Sequence, residues 1–496
     1  MVLQALEELV GLPYPVQGNF DFIFGTSAGD CIALYERVAK KAFGLHLVSY
    51  LAVLVSLFTD GIYPTQNLDA ALQEIFGSNE RILDCSSATA TGTKIGVVAS
   101  TMKPEPFLFT NYNGLGDRED KKFEKYGVLL GDALVWEIAR STSAAPGFFT
   151  PKKIAGLGKF QDGGLTHNNP YKLALKEIKA MFPHDPSAKR SALKVSLGTG
   201  KAPDYEPELH GSNSWWRDMW LFRLARALWS AIDRHENGDA TRRMEARNQE
   251  DEHKAGKRRR RGEYFRFNVE FHGRQPRLDD SSKMPEMKSL AHEAMLHSKQ
   301  LNRLAHCITA ELFVFQLESI PRKENGKYSC TGYILCRHRA GTLELEVLLE
   351  NLVKSSAKFL LRGRTLPGSA RDRSSLDRDG NFRKRVCFDV DSKEDFFSLH
   401  LREKGLESCN ISGSPFSVNW LVQQQRLGRA FGRPDGVKRK RKDSDEGLPK
   451  KRQRQSYISL KFFPITHSRH EHGTFVKRLN SWVMSRYYSY LHSLRQ

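Results

Sequence analysis

The sequence predicts an α/β fold in which helices cover a mostly parallel central sheet. Short β-branched or aliphatic runs at residues 95–100 and 193–197 are typical of buried strands. Apolar residues recur at helical spacing over residues 68–76 and 171–181. Strand-like and helix-like stretches therefore alternate along the first part of the chain, and this alternation is typical of a sheet with helices packed on its faces.

The first strand of this pattern ends in a turn made of small residues. The apolar run at residues 20–24 leads directly into Gly25-Thr26-Ser27-Ala28-Gly29. A helical apolar face then follows, formed by Cys31, Leu34, Tyr35, Val38 and Ala42. A Gly-x-Ser-x-Gly turn between a strand and a helix is the pattern of a nucleophile elbow, in which glycines permit a sharp turn and a serine is presented above the sheet. An ordinary tight turn is the alternative.

A second segment supplies a carboxylate beside two glycines. Asp162, Gly163 and Gly164 precede the polar stretch Leu165-Thr166-His167-Asn168-Asn169, and Pro170 then stands where a helix is expected to begin. A serine hydroxyl is a poor nucleophile until a base accepts its proton. Asp162 is the candidate base, and its flanking glycines would allow close approach. A plain Asp-Gly-Gly turn is the alternative.

Together these segments resemble the patatin-like phospholipase family. The resemblance extends to Asp60-Gly61-Ile62-Tyr63, to residues 139–149 with their Ser-Thr-Ser-Ala-Ala-Pro core, and to Ser196-Leu197-Gly198-Thr199-Gly200, all in the family's order. It covers roughly residues 1 to 320. It implies a three-layer α/β fold and a Ser/Asp dyad that works without histidine, metal or cofactor.

By position, the resemblance makes Ser27 the nucleophile, Asp162 the proton acceptor and the backbone N–H of Ala28 one oxyanion donor. Gly25, Thr26, Gly29, Gly163 and Gly164 complete the two motifs. The implied activity is hydrolysis of fatty acyl esters of phospholipids or neutral lipids through an acyl-enzyme. The alternative is a catalytically inactive patatin-like scaffold or lipid-binding protein, although retention of both Ser27 and Asp162 argues against it.

The chain departs from the family at its beginning. Members of the family usually begin with a strand and a glycine-rich loop whose N–H groups complete the oxyanion hole, whereas this sequence opens on an apolar helical pattern over residues 1–10. Loss of an oxyanion donor costs about 10²- to 10³-fold in turnover. Two hypotheses follow: either the true start lies upstream, or the chain is a degenerate homologue that binds without cleaving.

Positive charge is concentrated after residue 200. The chain carries a formal net charge of +20, while basic and acidic residues are equal in number over residues 1–200. The run Lys257-Arg258-Arg259-Arg260-Arg261 predicts either an exposed loop or a contact with anionic lipid headgroups. The concentration of charge in low-complexity runs disfavours a nucleic-acid partner. Peripheral contact with an anionic membrane is the expectation.

No targeting or metal-binding pattern is evident in the sequence. The first residues lack the features of a secretory signal, and the apolar stretch at residues 45–58 is shorter than the ~20 residues of a spanning helix. Seven cysteines form no CxxC pair, which favours a reducing compartment. His467, His470 and His472 are interpreted as solvated side chains. We expect an intracellular protein, cytoplasmic or peripheral to a membrane, that is not secreted.

From about residue 321 the pattern changes to short apolar strands separated by polar turns. The strands are expected at residues 332–336, 343–349, 386–390, 396–401 and 416–421, with a long polar loop over 362–385. The predicted domains are a patatin-like domain at 1–320, a smaller β-rich accessory module at 321–430, a basic linker at 431–456, and a C-terminal segment at 457–496 with an amphipathic helix.

Two basic clusters lie in the predicted linker, at residues 438–442 and 450–454. They resemble a bipartite nuclear localisation signal, which would make an importin a partner and the nucleus a second location. A disordered charged linker is the alternative of equal weight.

Overall fold

The computed structural model describes residues 2–27, 38–39, 41–43, 61, 63–84, 91–112, 127–130, 133–182, 193–200, 263–271 and 280–428. Several sequence predictions lie outside the described residues: the apolar stretch 45–58, the basic run 257–261, the basic clusters at 438–454, the three histidines and the C-terminal helix.

The helices of the described chain are α1 (Val2–Val10), α2 (Thr65–Phe76), α3 (Val135–Thr142), α4 (Gly164–His167), α5 (Tyr171–Met181), α6 (Met284–Leu296), α7 (Lys299–Glu311), α8 (Leu343–Lys354) and α9 (Val418–Gln424). Within the described part of the chain, none of them combines the length and the apolarity that crossing a bilayer requires.

The strands before residue 300 are β1 (Phe22–Thr26), β2 (Lys94–Thr101), β3 (Pro106–Thr110), β4 (Gly127–Leu130), β5 (Lys152–Ile154), β6 (Gly158–Asp162), β7 (Lys194–Leu197) and β8 (Tyr264–Phe267). Those that follow are β9 (Phe313–Leu317), β10 (Arg322–Glu324), β11 (Lys327–Cys336), β12 (Lys358–Leu361), β13 (Arg364–Thr365), β14 (Arg383–Val390), β15 (Phe396–Phe397), β16 (Leu399–Arg402), β17 (Cys409–Asn410) and β18 (Phe416–Ser417).

The six-stranded sheet is mixed rather than mostly parallel. Its order is β4-β3-β2-β6-β5, and β1 also pairs with β2. The pairs β1–β2 and β3–β4 are parallel, whereas β2–β3, β2–β6 and β5–β6 are antiparallel. The short connections from β2 to β3 and from β5 to β6 explain the difference, because a tight turn returns the chain antiparallel to itself. The sequence analysis did not predict β3 or β5.

Helices cover both faces of this sheet, so the α/β class predicted from the sequence is correct. Successive residues of a strand point to opposite faces. Val98 packs with Leu108 and with Leu173 of α5, whereas its neighbour Ala99 packs with Phe109 and with Ile138 of α3. Both Val98 and Ala99 are fully buried. The middle of β2 therefore lies inside the molecule, between two layers of helices.

The largest core cluster combines residues from both sides of the predicted domain boundary at 320. Leu6 and Val10 of α1 share this cluster with Leu304 of α7, Phe313 of β9 and Leu348 of α8. The described residues all belong to one compact unit that spans Met1–Phe431. The division at 320 stays a prediction, and no separate core marks it among the described residues.

The region after residue 320 contains the predicted strands with two exceptions. The strand predicted at residues 332–336 lies in β11, and the one predicted at 386–390 lies in β14. The strand predicted at 396–401 corresponds to β15 and β16. Residues 343–349, predicted as a strand, form the beginning of α8, where the Thr342 side chain caps the helix by accepting a hydrogen bond from the Leu345 N–H. Residues 416–421 form only the two-residue strand β18, followed by α9 with Ser417 as its cap.

A disulfide joins Cys307 of α7 to Cys409 of β17, 102 residues apart. The cysteine count and spacing gave no indication of this pair, since connectivity cannot be deduced from spacing alone.

Candidate active site

Ser27 follows the last residue of β1 in an unusual backbone conformation. Its φ is +57°, in the left-handed region that residues with a side chain rarely adopt. The pairing of β1 with β2 ends at Thr26, immediately before this residue. Gly25 and Thr26, which the sequence assigned to the turn, are the last two residues of the strand. Ala28 and Gly29 lie outside the described residues.

Two strands bring their carboxyl ends together on one edge of β2. Strand β1 runs parallel to β2 and pairs with it up to Thr26 opposite Val98, while β6 runs antiparallel and ends with Asp162 opposite Ala99. Because β3 occupies the other edge of the same β2 residues, β1 and β6 share one edge and meet end to end. The register of β2 thus places Ser27 and Asp162 side by side although 135 residues separate them.

The two side chains are joined by a direct hydrogen bond. The Ser27 hydroxyl donates to Asp162 Oδ2 at 2.9 Å, and the Gly164 N–H donates to Oδ1 of the same carboxylate at 2.7 Å. Asp162 is 1% exposed. Each carboxylate oxygen therefore has a donor, which is what a buried carboxylate requires.

Gly163 allows the close approach on which this contact depends. A Cβ at this position would lie 2.1 Å from the carbonyl oxygen of Val98. The backbone of Gly163 is helical, with φ −62°, so the requirement for glycine comes from space and not from torsion. Gly163 of the Asp-Gly-Gly sequence is therefore needed for close packing against β2.

Burial changes the acidity of Asp162. Desolvation raises the pKa of this carboxyl from 3.8 to about 6, and the hydrogen bonds from Gly164 and Ser27 partly oppose that rise. At neutral pH the carboxylate is still ionised, but it is a stronger base than an exposed aspartate. The arrangement can accept a proton from a hydroxyl placed against it.

The segment that follows Asp162 is hydrogen-bonded to both β1 and β2. The Thr26 hydroxyl donates to the carbonyl oxygen of His167 at 2.9 Å, and the hydroxyls of Ser100 and Thr166 lie 3.0 Å apart. Residues 164–167 form α4, and α5 begins at Tyr171, close to the start predicted from Pro170. These contacts fix the loop that carries the carboxylate.

Sequence reasoning missed the role of the residues that end α3. Thr142 and Ala144 contact the backbone of Ser27 and Asp162. Their segment contributed to the family resemblance, but no role was predicted for it. The sequence feature that could have indicated this role is a hydroxyl residue among small residues at the end of a helix.

Among the described residues, Glu263, Cys307 and Cys409 lie close enough together to be considered as metal ligands. Both sulfurs belong to the disulfide, and Glu263 forms a two-point ion pair with Arg303 at 2.9 and 3.0 Å. The group offers no thiolate in this state.

Comparison with known proteins places the site within a matched region. The family model for Patatin-like phospholipase matches residues 1–175. Calcium-independent phospholipase A2-gamma of Oryctolagus cuniculus is 28% identical over 259 residues, which is 48% of this chain and 30% of that protein. The 85/88 kDa calcium-independent phospholipase A2 of Mus musculus is 30% identical over 215 residues, which is 41% of this chain and 25% of that protein.

A bacterial protein also matches. The cGAMP-activated phospholipase of Vibrio cholerae is 28% identical over 238 residues, or 43% of this chain and 63% of that protein. The chain thus spans less than a third of the length of the mammalian relatives and somewhat less than two thirds of the bacterial one. Ser27 and Asp162 both lie within the residues that the family model matches.

Proposed function

We propose that this chain, whose residues 1–175 match the family model for Patatin-like phospholipase, is a lipid acyl hydrolase that uses Ser27 and Asp162 as a catalytic dyad. The observation that carries the proposal is the hydrogen bond from the Ser27 hydroxyl to the buried Asp162 carboxylate. The names of the relatives, all phospholipases, support the choice of a lipid ester as substrate.

The first half of the reaction forms an acyl-enzyme. Ser27 Oγ attacks the ester carbonyl carbon while its proton passes to Asp162 Oδ2, and a tetrahedral oxyanion results. Collapse of this intermediate breaks the bond between the carbonyl carbon and the leaving oxygen. Asp162 returns its proton to that oxygen, so the deacylated lipid departs as an alcohol.

The second half releases the fatty acid. Water attacks the acyl carbon as Asp162 accepts one of its protons, and the second tetrahedral intermediate collapses by expelling Ser27 Oγ. The proton on Asp162 then returns to Oγ, and the free acid leaves. One carboxylate thus acts as base and acid in both halves, and this use is favoured by a pKa of about 6, close to neutral pH.

The proposal assigns the oxyanion partly to the Ala28 N–H, which follows the nucleophile directly in the sequence. A backbone N–H at this position is the usual first donor of a nucleophile elbow. Removing one such donor from an enzyme of this type lowers turnover by about 10²- to 10³-fold.

The proposed substrates are phospholipids, with neutral lipid esters as the second class. The proposal places the reaction inside the cell, in the cytoplasm or at a membrane surface. Peripheral attraction to anionic lipids through the basic runs, and recognition of residues 438–454 by an importin, belong to the same proposal.

Release of fatty acid from labelled phosphatidylcholine vesicles tests the function, with a triacylglycerol emulsion as the second substrate. We expect the wild-type chain to release fatty acid and Ser27→Ala to release none. Ser329→Ala is the matched control, because Ser329 is an exposed serine of β11 and should leave the rate unchanged. A folded wild-type chain that hydrolyses neither substrate, or equal rates for wild type and Ser27→Ala, would contradict the proposal.

A further inference from the structure

The last residue of α3 and the two residues after it form hydrogen bonds with the backbone of both members of the dyad. The N–H of Ser27 donates to Thr142 Oγ1 at 2.8 Å, and the N–H of Asp162 donates to the carbonyl oxygen of Ala144 at 3.0 Å. The N–H of Gly163 donates to the carbonyl oxygen of Thr142 at 3.3 Å. We call residues Thr142–Ala144 the connecting segment.

The hydroxyl of Thr142 is inserted into the pairing between β1 and β2. While it accepts from the Ser27 N–H, it donates to the carbonyl oxygen of Val98, the β2 residue opposite Thr26. Since Ser27 leaves the strand at this point, its N–H cannot continue the ladder directly. The hydroxyl bridges the two backbone groups and satisfies both, and it does so in a buried position, with Thr142 3% exposed.

The position of this bridge matters because Ser27 has a strained backbone. A positive φ at a residue with a side chain persists only when surrounding contacts hold it there. The Thr142 hydroxyl contacts the Ser27 backbone itself, whereas the Ser27 side chain contacts Asp162. The same segment fixes the Asp162 backbone, so one short stretch sets the relative position of both groups.

We propose that Thr142 is a positioning residue for the nucleophile, and that its hydroxyl holds Ser27 in the conformation that directs Oγ at Asp162. This inference rests on the proposed function for its catalytic consequence. The structural part, that the Thr142 hydroxyl fixes the Ser27 N–H, is independent of that function.

Two substitutions at position 142 separate the hydroxyl from the shape of the side chain. Thr142→Val keeps the branched shape but leaves the Ser27 N–H and the Val98 carbonyl without their partner. Thr142→Ser keeps the hydroxyl. We expect Thr142→Val to lower the rate of Ser27 labelling by a fluorophosphonate by about 10- to 100-fold, because a small misplacement of a reacting group has effects of this order. Thr142→Ser should stay within about threefold of wild type.

The matched control is the preceding residue. Ser141 is fully buried on the same helix, and its hydroxyl donates to the carbonyl oxygen of Glu137 at 2.8 Å, within α3. Ser141→Ala therefore removes a buried hydroxyl bond of the helix without removing a bond to Ser27 or Asp162. We expect the labelling rate of this variant to match wild type even where its melting temperature falls.

The pH profile distinguishes positioning from a change in the base. Thr142 contacts the Ser27 backbone and not the Asp162 carboxylate, so Thr142→Val should lower the plateau of the labelling rate and leave its acid midpoint near that of wild type. With a lipid substrate, kcat should fall while KM stays unchanged, since the substitution affects attack and not binding.

Amide hydrogen exchange of the peptide that contains Ser27 provides a readout that needs no activity. We expect faster exchange of the Ser27 amide in Thr142→Val and wild-type exchange in Thr142→Ser. If Thr142→Val does not fold, the variant Thr142→Ala, which lacks the same hydroxyl, is used in its place. Unchanged exchange and labelling in a folded variant without the hydroxyl would overturn the inference. A wild-type chain that is never labelled would contradict the proposed function, and the exchange result would still decide the inference.

Discussion

Asp162 shows at the level of one residue how the proposed dyad opposes the stability of the fold. Its buried carboxyl accepts hydrogen bonds from a hydroxyl and one backbone N–H, and neither donor carries a positive charge that would compensate its ionisation. Burial of an ionised group without such compensation is unfavourable, and this is why its pKa rises to about 6. The folded protein therefore binds a proton more strongly than the unfolded chain does between pH 4 and pH 6, as the shift from 3.8 to about 6 requires.

Asp162→Asn should consequently remove activity and increase stability at neutral pH. Each pKa unit corresponds to about 1.4 kcal/mol, so ionisation of Asp162 lowers the unfolding free energy of wild type by roughly 2–3 kcal/mol above pH 6. Asparagine does not ionise and avoids this loss. Thermal unfolding of both proteins from pH 4.5 to pH 8 measures this. The advantage of the variant should be largest above pH 6 and shrink as the pH falls. An advantage independent of pH would show that ionisation of Asp162 is not its cause.

The pKa of Asp162 also predicts how activity depends on pH. Only the ionised carboxylate can accept the Ser27 proton, so the rate of fluorophosphonate labelling should fall as the pH drops, with a midpoint near 6. Labelling rates in a series of buffers at constant ionic strength measure this midpoint. A plateau extending down to pH 4.5 would contradict the assignment of Asp162 as the base.

At the scale of elements, the site depends on two strands, β1 and β6, whose carboxyl ends meet beside the middle of β2. Thr26 lies opposite Val98, and Asp162 lies opposite Ala99. The two motifs, taken together with the family resemblance, identified both candidate residues. The motifs could not reveal the register of β2, since pairing depends on contacts between strands far apart in sequence.

Gly163→Ala tests whether this convergence requires the glycine. The added Cβ would meet the Val98 carbonyl oxygen at 2.1 Å, a contact that forces β6 away from β2. We expect a loss of roughly 1–3 kcal/mol of unfolding free energy or more, together with at least a tenfold loss of labelling. Gly428→Ala is the control, because a Cβ there would meet nothing within 4 Å. Equal stability and labelling in both variants would show that the β6 end is not tightly packed.

Helix α8 illustrates why other elements were predicted wrongly. Its residues 343–349 are rich in leucine and valine, and a short apolar run does not distinguish a buried strand from a buried helix. Tertiary packing decided the outcome: Leu345, Leu348, Leu349 and Leu352 are buried at helical spacing. The Thr342 cap was visible in the sequence and would have favoured the helix.

At the scale of the whole molecule, residues far apart in the chain share one core. The side chain of Leu6 is fully buried in a cluster that extends to β18 and α9. The sequence showed that α1 has an apolar face but contained no indication of what it packs against. The predicted boundary at 320 followed a change in strand pattern, and such a change does not require a separate core.

Leu6→Ala tests the shared core. Truncation of a buried leucine costs about 2–5 kcal/mol, and hydrogen exchange should increase in residues 301–317 as well as in α1. Leu9→Ala is the matched control on the same helix, since Leu9 is 47% exposed and its truncation should stay within about 0.5 kcal/mol. Faster exchange confined to α1 would indicate that the core is not shared.

Peptide mass spectrometry of the full chain after reaction with a fluorophosphonate decides whether Ser27 is the nucleophile and Asp162 its base. We expect a single adduct on the peptide that contains Ser27, its loss in Ser27→Ala, and a large loss in Asp162→Asn although that variant remains folded. An adduct on another serine, or full labelling of Ser27 in Asp162→Asn, would contradict the proposed Ser27/Asp162 dyad.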